Sequence, residues 1–193
     1  MLSQYFFAHT KRVLIYGAVV IFAFSLLLFL ARSVSQNSYL KEFVSGYGYF
    51  GVFLVSVLSG FNLIIPVPAA SFVPLFVEAG LSLWVTIFII ALGTTVADIL
   101  AYSIGIIGRH VTSELPQSKV VARLDKMRER WQWGPIVALF LFVVFIPFPN
   151  EIILIPLGFM GYHLRLILPV VFFGSAIFNI AAAFGALGLF NLL

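Results

Sequence analysis

Ile65-Pro66-Val67-Pro68 returns 81 residues later as Ile146-Pro147-Phe148-Pro149, and each copy lies inside a hydrophobic stretch. A proline donates no backbone hydrogen bond and clashes with the preceding helical turn, so a Pro-x-Pro sequence breaks a helix. Within a membrane, such a break is tolerated only where protein or a water-filled cavity covers the freed backbone groups. Two breaks at corresponding positions of two halves are typical of a binding site built from discontinuous helices. The predicted hairpin breaks are Pro66, Pro68, Pro147 and Pro149.

The composition indicates an integral membrane protein. Of the 193 residues, 62% are hydrophobic and 9% are charged, whereas soluble domains average about 25% charged residues. Residues 13–31 and 81–97 carry no charge, and each run is long enough to cross a hydrocarbon core of ~30 Å. We expect a single membrane domain with no separately folding soluble part. The few dispersed basic residues give no support for nucleic-acid binding, and the absence of cysteine excludes disulfides and thiolate metal sites.

The order of apolar, broken and charged segments predicts an all-α polytopic fold. It has about three full transmembrane helices and two opposed re-entrant helical hairpins in an inverted repeat. Residues 13–31 form the first predicted helix; a signal peptide is the alternative, but this run exceeds an h-region of about 7–15 residues and no A-x-A site follows. The other predicted segments are a first hairpin plus helix (46–107, the helix over 81–107), a charged loop (108–133, with a short helix over 118–132), and a second hairpin plus helix (134–190, the helix over 166–190).

The distribution of positive charge predicts the topology. Residues 108–133 contain six Lys and Arg residues, so by the positive-inside rule we expect this loop, and the N-terminus with Lys11 and Arg12, to be cytoplasmic. Arg32 and Lys41 fall on the outer side in this topology and count against it. Each hairpin-plus-helix half then inserts with opposite orientation, which makes the 81-residue repeat an inverted one. We expect the plasma (inner) membrane, and an internal membrane stays open.

The repeat depends on residues that set backbone geometry. Comparison of residues 61–107 with 142–188 gives nine identities. Prolines and glycines among them carry more weight than the count, because they determine where helices break and turn. The nine are Phe61, Ile65, Pro66, Pro68, Gly80, Leu83, Gly93, Ile99 and Ala101.

One acidic residue lies deep in a helix that is otherwise uncharged. Asp98 follows the start of the 81–107 helix by 17 residues, and a charge at the bilayer centre costs roughly 2.5–3.5 kcal/mol. Thr94 and Tyr102 lie four residues before and after it, so the three share one face. Asn179 takes the place of Asp98 in the second half. We expect Asp98 to face a functional path; the alternative is a protonated side chain bonded to a neighbouring helix.

Other candidates adjoin the two breaks. Asn150 and Glu151 follow the second break, where free N–H groups at the start of a half-helix attract anionic groups. Glu151 is either a helix cap or a proton or cation site, and both interpretations stay open. Asn62 precedes the first break and is expected to satisfy freed backbone groups. Arg109, at a helix C-terminus, is expected to complement the helix dipole and to contact lipid phosphate.

No enzyme motif is present. The chain has no GxxxxGK[ST], GxSxG or HExxH sequence, which are the motifs of phosphate-binding loops, serine hydrolases and zinc proteases. The three histidines, His9, His110 and His163, all lie near predicted membrane boundaries. We expect no enzymatic activity, no cofactor and no metal site.

Two motifs resemble those of a known family. Gly93-x4-Asp98-x3-Tyr102-x2-Gly105, followed by Arg109, resembles a segment of the DedA family, also called the VTT-domain or SNARE-associated Golgi protein family. The run 147–151 followed by Gly158 is similar to the P-x-P-[SG]-E hairpin motif of that family. The resemblance covers about residues 46–190. It implies two opposed re-entrant hairpins and the movement of undecaprenyl-phosphate or other phospholipids across the membrane.

The chain also departs from the family pattern. Phe61 and Ala70 stand where the family commonly has acidic residues, and Glu151 stands where arginine is common. The resemblance is therefore to a divergent member, whose substrate is not inherited from the family.

These observations favour movement of phospholipid or polyprenyl-phosphate lipid between leaflets, either passive or ion-coupled. Membrane lipids are the expected partners, and the formation of a homo-oligomer stays open. One alternative is a proton- or sodium-coupled carrier of a small solute, and another is a membrane structural or assembly protein. The residues expected along the path are Asp98, Glu151, Asn150, Asn179, Asn62, Tyr102 and Arg109.

Overall fold

A computed structural model describes residues 37–60, 68–111, 119–146 and 149–192, together with isolated positions between 22 and 36. In these ranges all regular structure is helical, as predicted, and none is a strand. The predicted helix over 13–31 lies outside the described residues except for isolated positions, and so do Asn62, Pro66 and Pro147. The elements are α1 (Ser38–Gly60), a 3-10 turn (Ala69–Phe72), α2 (Val73–Glu78), α3 (Leu83–Val111), α4 (Lys119–Arg130), α5 (Gly134–Phe145), α6 (Glu151–Phe159) and α7 (Leu164–Leu192).

Three described helices are long and apolar enough to cross a membrane: Lys41–Gly60 within α1, α3 and α7. α3 and α7 confirm the helices predicted over 81–107 and 166–190. Each has 29 residues, which gives about 43 Å at 1.5 Å per residue. α7 begins at Leu164, 81 residues after the start of α3 at Leu83.

α1 begins earlier than the first hairpin segment predicted from residue 46, because helical structure begins at Ser38 and continues to Gly60. The helix is nevertheless bent at Gly48, where φ is 52° and ψ is −146°. Glycine reaches this backbone region readily because it has no Cβ. We call the segment after the bend, residues 49–60, the straight part of α1.

The straight part of α1 runs beside the first half of α3. At one end, the Tyr49 hydroxyl accepts a hydrogen bond from the backbone N–H of Ser82, just before α3 begins (3.1 Å). At the other end, Gly60 lies against Thr94 and Ala97, and a Cβ on Gly60 would come within 2.5 Å of the Ala97 Cβ. Because Ala97 is the middle residue of α3, this segment reaches the midpoint of the long helix.

The chain returns through the 3-10 turn and α2, and it ends this return at Gly80. Gly80 has φ of 96°, and Leu81 N–H donates to the Phe76 carbonyl at 3.1 Å, which is the C-terminal pattern of a Schellman motif. Lys41 Cε lies 3.9 Å from the position that a Gly80 Cβ would occupy. Lys41, Gly80 and the start of α3 therefore lie at the same end of the molecule.

The second half repeats this local structure. Gly161 has φ of 78°, and Tyr162 N–H donates to the Leu157 carbonyl at 3.1 Å. Both groups of this bond follow their counterparts in the first half by 81 residues. α5 packs against α7, where a Cβ on Gly174 would come within 2.9 Å of Val143 Cγ1.

The long helices cross and join two apolar cores. The second half of α3 packs with α4 to α7 around Leu139, Leu154 and Leu157. The first half of α3 packs with α1, the 3-10 turn, α2 and the later part of α7, around Val52 and Ile90. α6 packs mainly against α3, whereas the 3-10 turn and α2 contact both α3 and α7. The predicted short helix is confirmed as α4, which buries Val121 and Leu124.

Candidate functional site

A buried polar cluster lies at the middle of α3, with Asp98 at its centre. Asp98 is 3% exposed. Asn150 Nδ2 donates to both carboxyl oxygens, at 3.1 Å to Oδ1 and 3.3 Å to Oδ2. Ser175 Oγ donates to Oδ2 at 3.5 Å. Among the described residues no basic side chain pairs with Asp98, so hydroxyl and amide donors alone hold this carboxyl group.

The cluster continues one helical turn along the crossing of α3 and α7. Asn179 Nδ2 donates to Thr94 Oγ1 at 3.5 Å, and Thr94 Oγ1 donates to the Ile90 carbonyl at 3.0 Å. Ser175 follows Thr94 by 81 residues, as Asn179 follows Asp98. Each long helix thus contributes a hydroxyl and a longer polar side chain four residues later, and the hydrogen bonds cross between the helices.

Glu151, the first residue of α6, adds a second acidic group. It is 4% exposed, and its charge acts on Asp98 through space. Two negative charges repel far more strongly in a low-dielectric interior than in water. The fold therefore places both acidic candidates, Asp98 and Glu151, in one buried region with Asn150.

Tyr102 connects this cluster to the turn after α6. It lies four residues beyond Asp98 on the same face of α3, and its hydroxyl donates to the Tyr162 carbonyl. Just beyond it, α3 and α6 approach until their backbones nearly touch. A Cβ on Gly105 would overlap the Ile155 carbonyl oxygen, and one on Gly158 would overlap the Tyr102 carbonyl oxygen.

Arg109 is separate from the cluster. It lies 11 residues beyond Asp98, about 16 Å along the helix axis, and a Cβ on Gly161 would overlap its guanidinium. There it lines an open groove of about 640 Å³. Asn62, expected near the first break, lies outside the described residues.

Ser175, which donates to Asp98, is not among the site residues predicted from the sequence. Serine is common in membrane helices, and nothing in its neighbours distinguishes it. The repeat offered a signal, because counting on 81 residues from Thr94, a member of the predicted polar face, gives Ser175.

The chemistry of the cluster is that of binding polar groups. Its amides, hydroxyls and carboxyls donate and accept hydrogen bonds. In the described ranges, no group of His, Cys, Asp or Glu side chains is arranged to hold a metal ion. No family model, curated protein or solved structure matches the chain.

Proposed function

We propose that the protein moves an amphipathic lipid with a phosphate-bearing headgroup between the two leaflets of a membrane. The observation that carries this proposal is the hydrogen bond from Asn150 to Asp98. It joins the residue directly after the second Pro-x-Pro to the midpoint of a helix long enough to span the bilayer. Placing an ionisable group at this depth in a membrane costs free energy, and such groups commonly mark pathways for polar groups.

The proposed architecture contains two opposed re-entrant hairpins in an inverted repeat. Residues 49–60 reach the midpoint of α3, and α5, with 12 residues, contacts α7 at Gly174, next to Ser175. Each return ends at a glycine of positive φ, Gly80 or Gly161. A half-depth arm followed by a return to the same helix end is the path expected of a re-entrant hairpin.

In this proposal the lipid headgroup crosses along the polar cluster while the acyl chains stay in the bilayer. The hairpin tips shorten the apolar distance that the headgroup must cross. The cluster takes the place of water as the hydrogen-bonding partner of the headgroup. Without a nucleotide-binding motif in the sequence, the movement is either passive or ion-coupled. The path residues are Asp98, Glu151, Asn150, Asn179, Tyr102 and Asn62, with Thr94 and Ser175 added from the geometry.

We also propose that the chain is a divergent DedA-family member in the plasma membrane, with loop 108–133 cytoplasmic. The two motifs that resemble the family meet in space, which supports this assignment. Asp98 of the first motif contacts Asn150 of the second, and Gly105 of the first packs against the helix that contains Gly158.

Reconstitution into liposomes with leaflet-labelled lipid tests the function. We expect wild-type protein to accelerate lipid exchange between the leaflets. In the double variant Asp98→Asn/Glu151→Gln the exchange rate should be at least about tenfold lower, because both ionisable groups are removed from the path. Glu78→Gln, at the end of α2, is the matched control and should keep the wild-type rate. No acceleration by wild type, or full activity of the double variant, contradicts the proposal.

The proximity of two buried carboxyl groups favours a second candidate, a proton- or sodium-coupled carrier of a small solute. A bound cation would relieve the repulsion between Asp98 and Glu151. This candidate predicts that a proton or sodium gradient drives uptake of a soluble compound into proteoliposomes. Lipid exchange that is insensitive to both gradients favours lipid movement instead.

A further inference from the structure

A basic groove lies at the C-terminal end of α3. Its volume is about 640 Å³, and its lining includes Arg109 and His110 from α3 and Tyr162 and His163 from the turn after α6. A smaller groove of about 190 Å³ adjoins it across Gly161–His163 and is lined by Arg128 and Gln132. The two grooves share Gly161, Tyr162 and His163 as lining residues, and together we call them the headgroup groove.

The headgroup groove has several basic side chains and no acidic one in its lining. Within the described ranges, neither Arg109 nor Arg128 forms a salt bridge. Arg128 lies over the Tyr162 ring with its guanidinium carbon 5.6 Å from the ring centroid, a distance at which a cation–π contact holds the side chain in place. The lining of the groove therefore carries more positive than negative charge, although Asp125 lies near enough to act on Tyr162.

Tyr162 adds a hydrogen-bond donor to the groove. Its hydroxyl oxygen is shielded from solvent and has no hydrogen-bond partner in the described residues. Burial raises the pKa of this hydroxyl above its usual value; the positive charge of Arg128 opposes this rise, and the negative charge of Asp125 adds to it. The phenol thus stays protonated at neutral pH and keeps its O–H available for donation.

We propose that the headgroup groove binds a phosphate group, with Arg109 and His163 as its principal ligands and the headgroup of a lipid as its source. Planar guanidinium groups suit phosphate because they donate two parallel hydrogen bonds to it. This inference rests on the lipid movement proposed above and identifies where the lipid would be selected.

The position of the groove fits a loading site for the polar cluster. Asp98, Tyr102, Gly105 and Arg109 lie at i, i+4, i+7 and i+11, which is one face of α3. Tyr102 belongs to both regions, because it lines the groove and lies one turn from Asp98. Its hydroxyl donates to the carbonyl of Tyr162, another residue of the groove lining, so this hydrogen bond joins the groove to the face of α3 that carries Asp98.

Calorimetric titration of the purified full-length chain in nonionic detergent tests the groove. We expect binding of dioctanoyl phosphatidic acid and none of dioctanoylglycerol, which lacks the phosphate. Arg109→Gln should weaken binding about tenfold, because a charged bidentate contact is lost, and His163→Gln should weaken it several-fold. Arg109→Lys keeps the positive charge but loses the paired donors of the guanidinium group, so it should weaken binding less than Arg109→Gln. Thermal unfolding of each variant establishes that it is folded.

Arg165→Gln is the matched control, since Arg165 is exposed near the start of α7 and outside the groove lining. Equal loss in this control, or equal binding of the two lipids, overturns the proposal. Binding of inorganic phosphate that Arg109→Gln also weakens supports the groove and identifies free phosphate as a sufficient ligand. Wild-type protein should bind phosphatidic acid whether or not it moves lipid between the leaflets. If wild-type protein moves no lipid in the liposome assay but still binds phosphatidic acid, the proposed function is refuted and the phosphate site in the groove is retained.

Discussion

At the scale of single residues, Asp98 depends on donors from two other helical elements. Asn150 donates to both of its oxygens, and Ser175 donates to one. A buried carboxyl group without donors loses more free energy than the average hydrogen bond contributes, because it has also given up water. The contact therefore couples the second break to the centre of α3, and its strength can be measured.

We expect Asn150→Ala to lower the free energy of unfolding by about 1 kcal/mol, since hydrogen bonds between membrane helices average somewhat below this value and two oxygens lose a donor. In Asp98→Ala protein the same substitution should cost much less, because the acceptor is already absent. Unfolding by sodium dodecyl sulfate, followed by circular dichroism, measures both in one double-mutant cycle. Asn191→Ala, exposed near the end of α7, is the control. Equal costs of Asn150→Ala in the two backgrounds would contradict a direct bond.

The sequence was sufficient to single out most of these residues but not their pairing. An acidic residue in an apolar helix and polar residues after a Pro-x-Pro are visible in any sequence, so Asp98, Asn150 and Glu151 were all predicted. Which donor reaches which acceptor depends on how α3 and α7 cross. The structure pairs Asn179 with Thr94 and Ser175 with Asp98, and neither pair could be predicted from the sequence.

At the scale of elements, α3 and α6 pack through glycine. The missing Cβ atoms of Gly105 and Gly158 let the backbones of the two helices approach closely. Small residues at such contacts drive helix association in membranes, where the hydrophobic effect between helices is absent. This contact holds α6 at the depth where Asn150 reaches Asp98.

We expect Gly105→Ala to destabilise the protein by about 1–3 kcal/mol, because the new methyl group overlaps the backbone of α6 and the helices must separate. Gly185→Ala is the matched control. It places the same methyl group in α7 with no atom within 4 Å, and alanine favours a helix over glycine by about 1 kcal/mol. Thermal unfolding in detergent should show a lower midpoint for the first and an unchanged or higher one for the second. Similar midpoints for both variants would rule out the close backbone contact.

Element boundaries were predictable where glycine and proline set them. Gly80, Gly161 and Gly134-Pro135 mark ends or starts in both the sequence and the structure. The start of α1 was not predictable in this way, because Gly46, Gly48 and Gly51 all look like interruptions. Only Gly48 adopts a positive φ, and which glycine bends depends on tertiary contacts such as the Tyr49–Ser82 hydrogen bond.

At the scale of the whole molecule, the two halves share the starts of their long helices and the glycine turns before them at a spacing of 81 residues. Their side chains differ: the polar residues Asn150 and Glu151 follow the second break, whereas Ala69 and Ala70 follow the first. A repeat that preserves Pro and Gly but not polar groups keeps the backbone while its two halves become chemically unequal. Under the proposed function, this inequality favours the segment after the second break as the one that contacts the lipid headgroup.

The proposed topology predicts which ends of the helices face the same side of the membrane. The chain has no cysteine, so single cysteines at exposed positions report their own accessibility to a membrane-impermeant maleimide. We expect Ser38→Cys and Ser82→Cys to label from outside, because a re-entrant first hairpin returns to the side from which it starts. Arg123→Cys on α4 and His163→Cys should label only from the cytoplasm.

Ser38→Cys is the decisive position in this set. If Lys41–Gly60 crosses the membrane, as its length alone permits, then Ser38→Cys labels from the cytoplasm while Ser82→Cys still labels from outside. The contact of Gly60 with the middle of α3 and that of Lys41 with Gly80 favour the first pattern, since both place the N-terminal end of α1 beside the start of α3. Labelling of Ser82→Cys and Arg123→Cys from the same side would contradict the topology as a whole, because α3, at about 43 Å, separates these two positions.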